Sequence, residues 1–279
     1  MCFSRSFSLI ASAVWLSLWL LHATAAAQTT APESALVDDA AMADDPAKKK
    51  MLGLQIEAGA SYERLNRRLP AWQTSYLLII KQFAERKAVY TNLKRTRRFG
   101  IEDQELTFGA YHPLDSRTTL HVEAVVSPSH HILARWSTLV EVNRSLAKGS
   151  IGSIGWREVH FVSSRVAIFT PGFEQYIGHN LFSYKLFLAK PQNSSWLATH
   201  LIQATHLYGG SNLNVSVAIG HELETVGPKL LLQAKVIDLS FSGLQKISAN
   251  WAVNYRVGWH KQGDFYTRGG LSFGMRRYF

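Results

Sequence analysis

From Leu52 onward the chain repeats one pattern, an alternation of apolar with polar or small side chains at every second position. Ile56, Ala58, Ala60 and Tyr62 alternate with Gln55, Glu57, Gly59 and Ser61. Leu120, Val122 and Ala124 alternate with His121 and Glu123. Leu213, Val215, Val217 and Ile219 alternate with Asn214, Ser216, Ala218 and Gly220, and Trp251, Val253, Tyr255, Val257 and Trp259 with Ala252, Asn254, Arg256, Gly258 and His260. Successive side chains of a strand point to opposite faces, so each segment carries one greasy and one hydrophilic surface. Where Gly and charged residues alternate with Trp and Val, the pattern predicts a wall with lipid outside and a polar lumen inside.

The breaks between these segments come in two alternating kinds. Tight ones are Ala84–Lys87, His112–Arg117, Leu146–Ser150, Gly178–Asn180, Gly209–Asn212 and Gln245–Ser248. Longer, more charged ones are Asn66–Pro70, Arg97–Asp103, Ser127–Ala134, His160–Arg165, Pro191–Trp196, Leu223–Lys229 and Lys261–Tyr266. Gly, Pro, Asn and Asp supply the backbone angles of tight turns. Thirteen connections join fourteen strands of about ten residues each, the length a tilted spanning strand needs. The expected fold is all-β, an antiparallel up-and-down transmembrane barrel of about fourteen strands, with twelve as the fallback count and a soluble β-sandwich as the rival fold. An even number puts both chain ends on the periplasmic side and the longer loops outside. The least regular stretches are Ile151–Glu158 and Val166–Tyr176, the second interrupted by Pro171-Gly172. Trp72, Tyr90, Tyr111, Trp136, Trp156 and Trp259 fall near strand ends, as in an interfacial aromatic belt.

In the last strand Leu271, Phe273 and Met275 share one face, and Ser272, Gly274 and Arg276 the other. An apolar strand ending on Phe279 suits the barrel-closing strand, so Phe273, Met275 and Phe279 are expected to engage the barrel-assembly machinery.

The opening 27 residues read as a secretory signal, with Arg5 in the n-region, an apolar stretch from Leu9 to Leu21 and the small residues Ala25-Ala26-Ala27. Removing 27 of the 279 residues leaves 252, enough for one domain. It removes Cys2, the only cysteine, and with it any disulfide or thiol nucleophile. Residues 28–51 are rich in Ala, Asp and Thr and read as a flexible periplasmic lead-in; residues 52–279 form the barrel. The net charge of +10 becomes +9 without Arg5. In the envelope its counterpart is anionic lipopolysaccharide rather than nucleic acid. A mean hydropathy of −0.05 says little, because lipid-facing and lumen-facing residues cancel.

Five stretches carry a family resemblance: Ser61-Tyr-Glu-Arg-Leu65, Leu93-Lys-Arg-Thr-Arg-Arg-Phe-Gly100, Tyr111-His-Pro-Leu114, Ser127-Pro-Ser-His130 and Gly258-Trp-His-Lys-Gln-Gly-Asp-Phe-Tyr-Thr-Arg268. In order and spacing, residues 52–279 resemble the YaiO family of outer-membrane β-barrel proteins. The resemblance implies location and architecture, not a biochemical role. The chain departs from the usual barrel-closing signal at Arg277, two before the end, where an aromatic or apolar residue is typical.

Candidate ligand-binding residues lie at the expected extracellular rim. Arg95, Arg97 and Arg98 are the densest group, joined by Arg135, Glu222, Glu224, His260, Asp264 and Arg268, with Arg64, Arg67 and Arg68 nearby. Guanidinium forks grip phosphate and carboxylate, which suits lipopolysaccharide or an anionic glycan; the alternative is ion pairing that stiffens the loops. On the lumen face Glu57, Glu63, Lys81, Lys94, Glu105, Glu123, Glu141, Lys185, Arg256 and Arg276 have mixed signs, which favours pairing and a narrow interior. No loop is long enough to fold back far, which disfavours an ordinary porin.

A catalytic site is not read from spacing. Ser127, Ser129 and His130 share one loop, His260 precedes Asp264 by four, and His221 and Glu222 point to opposite faces. His130-His131 with His121 or His260 lacks metal-ligand spacing, so no metal and no cofactor is expected. The leading reading is a non-enzymatic outer-membrane protein that contacts or passes surface polysaccharide or lipopolysaccharide. The alternatives are a lipid- or glycan-modifying enzyme and a purely structural or adhesive barrel.

Overall fold

The computed structural model describes residues 15–17 and 53–279 apart from 148, 193 and 227–229; the side chains of 15–17, 147 and 223–233 are likewise outside the description. Apart from Trp15–Ser17, the expected signal and the lead-in lie outside the described residues.

Fourteen strands form the wall: β1 Gly53–Leu65, β2 Trp72–Ala84, β3 Lys87–Arg98, β4 Ile101–Pro113, β5 Thr118–Val126, β6 Trp136–Ala147 and β7 Ser150–His160. They continue as β8 Arg165–Ile177, β9 Asn180–Pro191, β10 Leu197–Tyr208, β11 Ser211–Val226, β12 Leu230–Lys246, β13 Trp251–Gln262 and β14 Tyr266–Tyr278. Each pairs antiparallel with its neighbours in sequence. β14 returns to β1, from Arg268 opposite Leu65 to Tyr278 opposite Gln55, and closes the cylinder. Closure leaves no sheet edge, the condition under which strands can cross a bilayer. A three-residue strand, Trp15–Ser17, pairs with Glu224–Val226 of β11, beyond the point where β10 has ended.

The thirteen connections alternate between two ends as the turn chemistry predicts. We call them the turn end, which also carries Gly53 and Phe279, and the loop end. Two loop-end connections differ from expectation: β11 runs on through Val226, into the expected loop Leu223–Lys229. Arg97–Asp103 is no loop: β3 runs to Arg98, β4 starts at Ile101, and the chain reverses through Phe99 (φ 51°) and Gly100 (φ 83°). Left-handed angles at both central residues match the twist of the flanking strands, so two residues suffice. The two irregular stretches are both strands. β8 crosses Pro171 without a register shift, although Thr170 and Pro171 lack pairing partners on β9.

The alternation sorts as expected. Leu271 is 61% exposed on the outside while Arg276 of the same strand is 6% exposed inside. Ile154, Ile202, Val257 and Phe273 continue the apolar exterior. Arg277 points outward, its guanidinium 5.3 Å from the Trp251 ring and 4.7 Å from the Phe279 ring. Three of the six aromatics expected in a belt are instead inside. Trp72 is buried among inward neighbours, Tyr90 bonds lumen residues, and Tyr111 stacks on His121 at 4.1 Å. Trp156 and Trp259 are outside. Lys81 corrects the lumen set: it lies between inward-facing Ile80 and Gln82 and is itself exposed on the outer face.

Candidate functional site

The lumen is lined by paired charges. Glu57, 1% exposed, is bonded by Arg276 Nε (2.7 Å), the Tyr76 hydroxyl (2.7 Å) and Asn254 Nδ2 (2.6 Å). Glu123 accepts from Arg157 (2.9 Å) and from the Tyr90 hydroxyl (2.6 Å). Lys94 donates to Glu105 (2.7 Å), and Lys185 stands 3.6 Å from Glu141. A carboxylate taken out of water is costly unless donors satisfy it, and these groups supply them. The tyrosines reach their carboxylates by lying across glycines of adjacent strands. Tyr76 is opposite Gly59 and Tyr90 opposite Gly109, where a Cβ would come within 2.1 Å of the Tyr90 ring.

At the loop end the indole of Trp72 carries two guanidiniums, Arg98 at 4.4 Å and Arg268 at 4.6 Å from the ring centroid. Phe99 and Tyr266 meet the same indole edge-on. Two like charges share one ring because carboxylates surround them: Arg268 donates to Glu63 (2.9 Å) and also faces Asp238 and Glu222. His260 is held on both ring nitrogens, by Asp238 (3.2 Å) and Gln262 (2.7 Å).

Beside this cluster the chain itself reaches into the lumen. The connection of residues 127–135 folds inward and buries Ile132 and Leu133. One carboxylate anchors it: Asp103 Oδ2 accepts the backbone N–H of Ile132 (2.6 Å) and of Leu133 (2.9 Å), and Oδ1 meets His131 Nδ1 at 2.9 Å. Short as this connection is, it turns inward because a buried acceptor satisfies the backbone that the turn would otherwise orphan. Below the plug lies a cavity of about 240 Å³. Its lining is two-sided, with Leu133, Val159 and Phe161 against Lys94, Glu105, Arg157 and Arg268. The apolar side belongs to an inward cluster built on Val166, Ile168, Phe187, Leu197 and Leu201.

The nine rim residues named from sequence are therefore not one site. Arg98, Glu222, His260 and Arg268 face inward. Arg95 and Arg97 face outward, Arg95 in a two-pronged pair with Glu102 (2.6 and 2.8 Å). Arg135 and Asp264 are exposed in connections, and of Glu224 only the backbone is described. Strand parity separates Arg98 from Arg95 and Arg97, a signal that the loop assignment hid. Trp72, Asp103 and Asp238 were missed, since their partners come from other strands.

No nucleophile and base come together in the loop. Ser127 Oγ donates to the carbonyls of Gln104 (2.6 Å) and Ser129 (3.1 Å), and His130 meets the Ser127 carbonyl rather than its hydroxyl. His260 pairs with Asp238, directly opposite on β12, and not with Asp264. Among the described residues no three His, Asp or Glu side chains gather as metal ligands.

The model of the YaiO membrane beta barrel domain matches residues 54–224. The chain belongs to that family. The YaiO wall here continues past the matched span, since β12, β13 and β14 follow it and complete the cylinder. The solved structure of the CymD monoaromatic hydrocarbon channel is similar over 87% of this chain and 93% of its own, at 9% identity and a TM-score of 0.58. A bacterial polysaccharide outer membrane secretin is similar over 82% of this chain and 99% of its own, at 8% identity and a TM-score of 0.52. At such identity the likeness is one of fold. No curated protein matches this YaiO barrel in sequence.

Proposed function

We propose that this barrel is a non-enzymatic outer-membrane protein whose plugged lumen is a narrow passage for segments of envelope polysaccharide. Signal-directed export delivers it, the loop end faces outward, and the turn end faces the periplasm. The observation that carries this reading is the inward fold of residues 127–135 onto Asp103, above a cavity lined on one side by charged and aromatic groups. A sugar chain offers many hydroxyls and apolar ring faces. The first suit satisfied carboxylates and guanidiniums, and the second suit aromatic walls such as Tyr76 and Tyr90, which line the cavity. Because the lumen charges are paired and residues 127–135 are pinned inward, the resting barrel should pass little current.

Single-channel recording of the refolded protein tests this. The wild type should conduct weakly, Asp103→Ala should conduct several-fold more, and an added acidic oligosaccharide should block the variant's current. A wild type that conducts like an open pore, or a variant whose current ignores the glycan, would rule out the reading.

A further inference from the structure

On the outer wall at the loop end a groove lies between Arg64, Arg67 and Arg68 on one side and Trp259 on the other. Its floor is glycine. Arg64 of β1 is opposite Gly269 of β14, which is opposite Trp259 of β13, so the middle of that row has no side chain. Two residues further down the strands the next row is Tyr62, Leu271 and Val257, all exposed and apolar. The guanidinium row thus stands directly above a lipid-facing surface.

Two further observations mark the three arginines. Exposed Arg95 and Arg165 at the same end are paired with Glu102 and Glu158, whereas Arg64, Arg67 and Arg68 have no carboxylate within ion-pair distance among the described residues. Arg67 and Arg68 also sit in the two central positions of a tight turn, closed by Leu69 N–H to Asn66 O at 3.2 Å, with φ of 57° and 59°. Left-handed backbone favours Gly or Asn, and a long side chain there is strained. Strain kept at two adjacent arginines without partners is the mark of a site that uses them.

We infer that this groove binds the phosphate of a membrane lipid headgroup, with the arginines forking the phosphate oxygens and the acyl chains lying down over Tyr62, Leu271 and Val257. Guanidinium and phosphate match in geometry and charge, and the apolar row below commits the anion to being the head of an amphiphile. The site is on the outside of the wall and does not depend on what the lumen carries.

The experiment uses the folded barrel in neutral phosphatidylcholine bicelles. Native mass spectrometry would record retention of bisphosphorylated lipid A against its phosphate-free form. The wild type should retain the phosphorylated lipid about tenfold better. The Arg67→Gly/Arg68→Gly variant should lose that preference while unfolding at the same or a higher temperature, because glycine relieves the turn. Gly269→Val, whose new side chain meets only ordinary contacts, should fill the groove and also lose the lipid. Arg165→Ala, seven strands away, should change nothing. The inference fails if both groove variants keep the preference, or if the wild type shows none. Displacement of the lipid by millimolar inorganic phosphate would overturn it in favour of a free-anion site.

Discussion

Asp103 and Leu133, thirty positions apart in the chain, meet inside the barrel where the carboxylate accepts the Leu133 backbone N–H at 2.9 Å. That contact and its twin to Ile132 turn a short connection into a plug. Asp103→Ala would leave two buried N–H groups without an acceptor, at a cost of about 1–3 kcal/mol each. Asp103→Asn keeps one acceptor oxygen and should sit between. Proteolysis of residues 127–135 in the folded barrel should follow the order alanine, asparagine, wild type, from fastest to slowest. Equal rates in all three would mean that the loop is held by Ile132 and Leu133 alone.

Glu57 and Arg276 form an ion pair deep in the lumen, 1% and 6% exposed. Glu57→Ala should strand the guanidinium and destabilise the barrel by about 3–5 kcal/mol. The double change Glu57→Leu with Arg276→Met removes both charges and should recover most of the loss. Urea unfolding in lipid vesicles, followed by tryptophan emission, reads the difference. A double variant no better than the single would show that the pair is replaceable neither by charge nor by packing.

Gly109 exists for Tyr90. Gly109→Ala would push a methyl group into the ring and pull the hydroxyl off Glu123. Its effect should largely vanish in a Tyr90→Ala background, and a double-mutant cycle on thermal unfolding measures the coupling. Additive losses would place the cost of Gly109→Ala in the backbone instead.

Asp115 lies in the connection between β4 and β5, outside the spanning segments. Its carboxylate accepts the N–H of Arg117 and of Thr118, each at 2.7 Å, and these hold its pKa below the ordinary value of 3.8. A depressed carboxylate stabilises the folded state above its unfolded pKa and ceases to do so as pH falls through the folded one. The gap in unfolding midpoint between wild type and Asp115→Asn should therefore be constant from neutral pH down to about pH 4 and close below it. A gap that widens on acidification would contradict the assignment.

The wall was readable from the sequence because a spanning strand states its two faces at every second residue and turn residues punctuate it. Ile56 to Tyr62 and Trp251 to Trp259 face as their parity says. The same parity splits Arg98 from Arg95 and Arg97, but it carries meaning only once Arg97 and Arg98 are known to be strand and not loop. The belt failed at Trp72, Tyr90 and Tyr111 for a related reason: proximity to a strand end gives height in the membrane and not the side of the wall. The plug was not legible, since Asp103 acts on main-chain groups that no side-chain pattern announces. The partner of His260 is likewise hidden from spacing, because Asp238 stands opposite it across the sheet and not near it along the chain.

The pairing of β14 with β1 has a kinetic corollary. Glu57 and Arg276 are 219 positions apart, and every backbone bond along that junction waits for the last strand to arrive. Until then β1 is paired with β2 on one edge alone, and its other edge carries unpaired backbone groups. The seam thus joins the two ends of the barrel sequence, and contacts of such long sequence separation are the slowest kind for a chain to find.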